Sequence, residues 1–158
     1  MPVIDILDLP AVVPPFAPVV GLDLGEKTIG VAVSDLNRSI ASPLELIRKT
    51  KFTEEAQTLL RLMGGRGARG IVIGLPLNMD GSEGPRCQSV RAFARNLLKL
   101  DDTLPIAFWD ERLSTAAVQR LMTSEGDLTR ARRAELVDKT AAAYILQGAL
   151  DRLRSAGF

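Results

Sequence analysis

The chain is 158 residues long, 46% apolar and 25% charged, a globular composition within the size of one domain whose core can bury roughly two thirds of the unfolded surface. With no His and a single Cys, Cys87, it excludes Ser-His-Asp and Cys-His catalysis, Cys/His zinc sites and an intramolecular disulfide. A net charge of +1 from 20 basic and 19 acidic residues means that a nucleic-acid partner would be held by local patches, not by the overall field. Any catalyst must therefore work with carboxylates, hydroxyls, Lys, Arg or a metal held by oxygen. The basic set is 15 Arg against 5 Lys, and Arg is the better fork for phosphate oxygens. No apolar run approaches the ~20 residues of a membrane span, and residues 1–20 offer no Lys or Arg for a signal-peptide start. With one unpaired thiol as well, the chain reads as cytoplasmic and as having no membrane partner.

In chain order, Pro2, Pro10, Pro14 and Pro15 in residues 1–17 deny regular hydrogen bonding and predict an extended, proline-rich N-terminal arm ahead of a domain spanning 18–158. Val19–Leu24 and Thr28–Ser34 then read as a β-hairpin. In the second strand Ile29, Val31 and Val33 share one face, and Gly30, Ala32 and Ser34 the other. A short third strand is expected around Pro43–Ile47. From Phe52, Ala56, Leu59, Leu60 and Met63 recur at helical spacing, with Gly64-Gly65 as the stop. The apolar run Gly70–Leu75 suits a strand buried on both faces. A helix over Gly84–Leu100 turns Val90, Phe93, Ala94 and Leu97 inward and lines Arg91, Arg95 and Lys99 along a solvated face. Pro105–Trp109 is a further strand, Ser114 an N-cap for a helix through Met122, residues 124–130 a polar loop, and Ala131–Arg154 a last helix. Successive strands followed by strands alternating with helices predict an α/β fold with a mixed sheet and helices on its faces.

Four acids need explaining. Asp23 sits in a strand that otherwise reads as core, where a carboxylate is costly unless paired, hydrogen-bonded or bound to a cation; capping the turn at Gly25 or pairing with Lys27 would also account for it. Asp110 and Glu111 end a parallel strand, the edge where open α/β sheets place ligands. Adjacent residues there point to opposite sides, and Glu111 is the better candidate, with Asp110 pairing a neighbour or capping. Asp138 heads an apolar helix face with Ala142 and Ile145. If Asp23, Glu111 and Asp138 converge, each pair ~5 Å apart repels by about 3 kcal/mol at an effective dielectric of 20, so a cation must lie between them. Oxygen-only ligands select Mg²⁺ or Mn²⁺, and such a site supports metal-assisted phosphoryl hydrolysis without His.

The stretch Gly74–Gly84 offers a loop after a buried strand and before a helix N-terminus, a natural anion cradle that is not a P-loop. A plain strand-to-helix connection is an equal reading of it. Arg130, Arg132 and Arg133 could hold phosphate or simply be solvated.

Four blocks taken together resemble the YqgF (RuvX) family of bacterial proteins. They are Gly21-Leu22-Asp23-Leu24-Gly25 with Ile29-Gly30-Val31-Ala32; Gly74-Leu75-Pro76 with Asn78 and Gly81; Asp110–Thr115; and Val137-Asp138-Lys139 with Ala141-Ala142 and Ile145-Leu146. The resemblance implies an RNase H-like fold with sheet order 3-2-1-4-5, kinship with Holliday-junction resolvases, and a nuclease role in maturing the 5′ end of pre-16S ribosomal RNA during ribosome biogenesis. It puts the family's catalytic and metal-holding acids at Asp23, Glu111 and Asp138, with Mg²⁺ or Mn²⁺ as cofactor. Arg112, Ser114 and Thr115 match its strand-5 motif, Arg112 as a phosphate-steering group; Asn78 and Lys27 complete the substrate-binding candidates. The proline-rich arm lies outside the family pattern.

The leading expectation is thus a metal-dependent nuclease of structured RNA, with pre-rRNA, and through it ribosomal particles, as partner. Branched DNA is the alternative substrate, for which a symmetric homodimer rather than a monomer would be expected. A non-catalytic ribosome-assembly factor is a third reading. An actin-like nucleotide-binding domain, suggested by Asp23-Leu24-Gly25, is disfavoured because its cleft needs two such domains.

Overall fold

A computed structural model describes residues 2–112, 130–155 and 158, and for residues 130–139 the backbone alone. A five-stranded sheet is built from β1 (Val20–Leu24), β2 (Thr28–Ser34), β3 (Ala41–Arg48), β4 (Ile71–Leu75) and β5 (Ile106–Asp110) in the order β3-β2-β1-β4-β5. β1 pairs antiparallel with β2 and parallel with β4, and β4 pairs parallel with β5. The mixed sheet expected from the sequence pattern and the 3-2-1-4-5 order implied by the resemblance are both present.

Alternation along the strands divides the core into two layers. Leu22, Leu24, Ile29, Val31, Ile71 and Ile73 face α2 (Phe52–Arg66) and α3 (Pro85–Leu100), meeting Leu59, Met63, Phe93 and Leu97. Val19, Ala32, Val72 and Ala107 face the long helix Arg130–Arg154, where Ala142, Ile145, Leu146 and Leu150 are buried. That helix is α4 below, α1 being the single turn Leu9–Val12. It lies almost on the backbone of β1, because a Cβ on Gly21 would stand 2.6 Å from Leu146 Cβ and 3.0 Å from the Ala142 carbonyl oxygen. Neither neighbour is a flexible side-chain end, so Gly21→Ala should lift the helix and cost roughly 1–3 kcal/mol. Thermal unfolding should show this as a melting point lower by several degrees; an unchanged Tm would mean that the helix can retreat freely.

Three boundaries differ from expectation for physical reasons. β3 runs longer than Pro43–Ile47, since its pairing extends from Ser34↔Ala41 to Thr28↔Arg48. Pro43 is tolerated because β3 is an edge strand and the register shifts beside it, between Val31 and Ala32. α2 passes through Gly64 and Gly65 and stops at Gly67, which takes the left-handed conformation at φ 68° while Ala68 N–H donates to the Met63 carbonyl at 2.9 Å. The segment before β1 is not simply extended. Ile4 bridges Ala107 on β5, the Asp5 carboxylate accepts from Leu7 N–H to start a 3₁₀ turn at Ile6–Asp8, and Pro10 sits in the first turn of α1, where its missing N–H costs nothing. Leu9 from this turn is fully buried against the α4-side core. The helix expected from Ser114 to Met122 and most of the loop expected over 124–130 lie outside the described residues. Among those described, no helix is long and apolar enough to cross a membrane.

Candidate active site

The C-terminal ends of β1, β4 and β5 meet at one edge of the sheet. Asp23 is the penultimate residue of β1, and Glu111 follows β5, its N–H continuing the ladder to the Leu75 carbonyl at 3.1 Å. The two strands flank β4, so their side chains can meet only by crossing it. They do so at Gly74, where a Cβ would stand 2.8 Å from Glu111 Cγ and 2.9 Å from its Oε1. The Glu111 side chain therefore lies across the bare backbone of Gly74 and its carboxyl hydrogen-bonds that of Asp23. Both acids are on the α4 face, since Asp23 alternates with the inward Leu22 and Leu24 of the opposite layer.

The electrostatics follow from that contact. Burial first, then the hydrogen bond and the charge of Asp23, push the Glu111 carboxyl up to about 8, with Arg86 pulling the other way. Two carboxyl groups so close share a proton at neutral pH, because both cannot be ionised cheaply without a cation. An oxygen-only pair at the edge of a sheet is the donor set of a hard divalent ion. Asp138 lies on α4, which packs over this face, but its side chain is outside the described residues; so are Ser114 and Thr115. Among the described residues no three potential metal ligands cluster, and Asp23 with Glu111 is the part of the expected triad that the structure brings together.

Asp110 points the other way, as alternation requires. It takes Arg112 in a fork, with Arg112 Nη2 at 2.7 Å and Nε at 3.0 Å from Asp110 Oδ2, and this bond holds its carboxyl below the usual range. Arg112 Nη1 also donates to the Met79 carbonyl at 3.1 Å. Arg112 thus ties the end of β5 to the loop after β4. That loop is set further by Asn78, whose N–H donates to the Ser82 carbonyl and whose Nδ2 donates to Ser82 Oγ, and by Asp80, which accepts from Ser82 N–H. Asn78 and Arg112 are accordingly engaged with the protein itself. Lys27 is exposed in the β1–β2 turn, and among the described residues it forms no ion pair, with Asp23 or otherwise.

Arg86 was not singled out by the sequence. It is exposed in the first turn of α3, donates through Nη2 to the Leu24 carbonyl at 3.3 Å and stabilises the ionised form of Glu111. Its signal, an Arg directly after the Gly-Pro that opens a helix behind the β4 loop, is visible only once α3 is known to start at the carboxylate edge.

Comparisons with known proteins show the family and the fold. Residues 17–152 match the family described as "RuvX: Holliday junction resolvase". A protein of Phenylobacterium zucineum called "Putative pre-16S rRNA nuclease" is 70% identical over 155 residues, covering 98% of this chain and 99% of its own length. One of the same description from Caulobacter vibrioides is 65% identical, covering 98% and 99%. Among solved structures, Thermus thermophilus RuvC in complex with a Holliday-junction substrate superposes with a TM-score of 0.54 at 14% identity, over 87% of this chain and 96% of that one, a likeness of fold. By its sequence match over nearly the whole chain, and with the sheet order and acidic edge already described, the protein belongs to the RuvX family.

Proposed function

We propose that this protein is a divalent-metal-dependent nuclease that hydrolyses phosphodiester bonds in structured RNA, acting on the 5′ end of pre-16S ribosomal RNA in the cytoplasm. The observation that carries the reading is the Asp23–Glu111 contact across Gly74, a carboxyl pair that needs a cation to be fully ionised. The relatives' shared description favours precursor ribosomal RNA as substrate. Asp23 and Glu111 would hold Mg²⁺ or Mn²⁺, with Asp138 on α4 as the third ligand. When bound, such an ion polarises the phosphodiester, lowers the pKa of water and stabilises the leaving oxygen. The chain's own part is to release the proton that the pair shares and to present both carboxylates on one face. Arg112 and Asn78 hold the loop after β4 in shape beside that face, and Lys27, Ser114 and Thr115 contact substrate.

The family description supports a second substrate, branched DNA. Cleavage of a pre-16S 5′-leader RNA and of a four-way DNA junction, each with Mg²⁺, Mn²⁺ or EDTA, tests both. We expect metal-dependent cutting of the RNA, abolished by EDTA. Preferential cutting of the junction would transfer the chemistry to DNA, and no cutting of either would leave a non-catalytic ribosome-assembly role in its place.

A further inference from the structure

Among the described residues the cations around the carboxylate edge are distributed unevenly, and this has a consequence if the edge cleaves nucleic acid, the reading on which this inference rests. On the β4–β5 side, Arg112 is neutralised by Asp110 and Arg91 by Glu83, each at 2.7 Å. On the β1–β2–β3 side, Lys27 of the β1–β2 turn, Arg48 at the end of β3, and Lys49 and Lys51 of the β3–α2 connection are all exposed. Among the described residues none of these four forms an ion pair.

Strand register sets where they stand. Leu24, Ile29 and Ile47 form one row across β1, β2 and β3, and Thr28 opposite Arg48 forms the next. Two strand spacings of about 4.8 Å separate β3 from β1, so the β3 end of the cluster stands roughly 10 Å from the strand that carries Asp23, while Lys27 lies in the turn that leaves that strand. Ile47 packs into the α2–α3 layer, so Arg48 alternates onto the same sheet face as Asp23. Lys49 N–H donates to the Lys27 carbonyl at 2.9 Å, which fixes the two lysines side by side. The acids beside them in the chain reduce this charge without matching it: Glu55 is buried and accepts from Thr50 N–H at 2.9 Å, and Glu26 and Glu54 are exposed, so the four cations keep a net positive charge. Arg86, whose charge reaches Glu111, is exposed and anchored to the Leu24 carbonyl of β1 by one of its five N–H donors.

We propose that the substrate backbone crosses the β1–β2–β3 side of the edge, with Arg86 holding the phosphate beside the carboxyl pair and Lys27, Arg48, Lys49 and Lys51 holding the phosphates that flank it. A chain with a net charge of +1 draws its affinity from this local concentration of positive charge. Contacts of this kind fix orientation without reading sequence, and they release counterions, so they appear in the salt dependence of binding.

The test is equilibrium binding of the full-length Asp23→Asn protein to a fluorescent pre-16S 5′-leader RNA across a range of KCl concentrations, alone and with Lys27→Glu plus Lys49→Glu, Arg86→Gln, or Lys99→Glu. Lys99 lies at the far end of α3 and serves as the control. The double charge reversal should weaken binding by about tenfold or more and reduce the slope of log Kd against log salt by roughly 1.5–2. Arg86→Gln should weaken binding with a smaller change in slope, and Lys99→Glu should match the parent. All are exposed positions, so the melting points should stay together. If the double reversal binds like the parent, or Lys99→Glu weakens binding as much, the track is wrong while the nuclease reading stands on wild-type cleavage. If the parent binds neither this RNA nor a DNA junction and the wild type cuts neither, both readings fall.

Discussion

Asp23→Asn and Glu111→Gln should each reduce metal-dependent cleavage by at least about 100-fold, a loss of transition-state stabilisation of roughly 3 kcal/mol, without unfolding the protein. Both are isosteric, and both keep a hydrogen bond possible between the two positions: an amide at 111 can donate to the Asp23 carboxylate, and one at 23 to Glu111. What each removes is one of the three carboxylate charges proposed to attract a divalent ion. The stability change should have the opposite sign to that of an ordinary core mutation. Two carboxyl groups in contact repel when ionised, so at pH 9 without metal each variant should melt at or above the wild-type temperature. Activity by gel assay and Tm by circular dichroism on the same preparations make the check. A variant that cuts at the wild-type rate would remove its residue from the catalytic site, and one that melts far lower would assign it a structural role instead.

How much of this could be read from the chain depended on the range of the interaction. Strands and helices set by local alternation and spacing, such as Thr28–Ser34 and Pro85–Leu100, were legible to within a residue. Among the neighbouring acids Asp110 and Glu111, alternation favoured one per face, and they do divide: Asp110 to Arg112, Glu111 to Asp23. Tertiary detail was not legible. Gly74 reads as a small residue in a buried strand, and only the structure gives it the task of letting Glu111 cross β4. For Arg112, which the resemblance implies as a phosphate-steering group, the chain gives no hint of its fork with Asp110 or of its bond to a carbonyl 33 residues away in sequence. The prolines of residues 1–17 argue against hydrogen bonding only in isolation; Pro10 sits in the first positions of a helix turn, which accept it. Arg86 gives no local signal, because its partner is the Leu24 carbonyl of β1, some 60 residues earlier in the chain.

The same carboxyl pair predicts an unusual pH dependence of stability for the metal-free protein. Glu111 titrates at about 8 when folded against an ordinary value of 4.5, so between these values the folded state holds a proton that the unfolded state has lost. Stability from this group is therefore complete below about pH 4.5 and declines as pH rises through 8. Each unit of separation is worth about 1.4 kcal/mol at full strength; the site is partly open to solvent, which reduces the total to about 2 kcal/mol, or roughly 4–8 °C in Tm for a chain of this size. Asp110, held below its usual range by Arg112, acts in the opposite direction and only at the acid end, where its ion pair is lost as the pH falls below its ordinary value of 3.8. The metal-free wild type should thus be most stable near pH 4–5 and soften steadily towards pH 9. Glu111→Gln should flatten that decline. A divalent cation should restore stability most at pH 8–9, where the pair is ionised, and least at pH 5, where a shared proton already occupies the contact. Melting curves in EDTA and in Mg²⁺ at pH 5, 7 and 9 measure both effects. A wild-type profile that is flat from 5 to 9, or a Glu111→Gln profile of the same slope, would show that the proton between Asp23 and Glu111 does not couple to folding, and would weaken the case that these two groups await a cation.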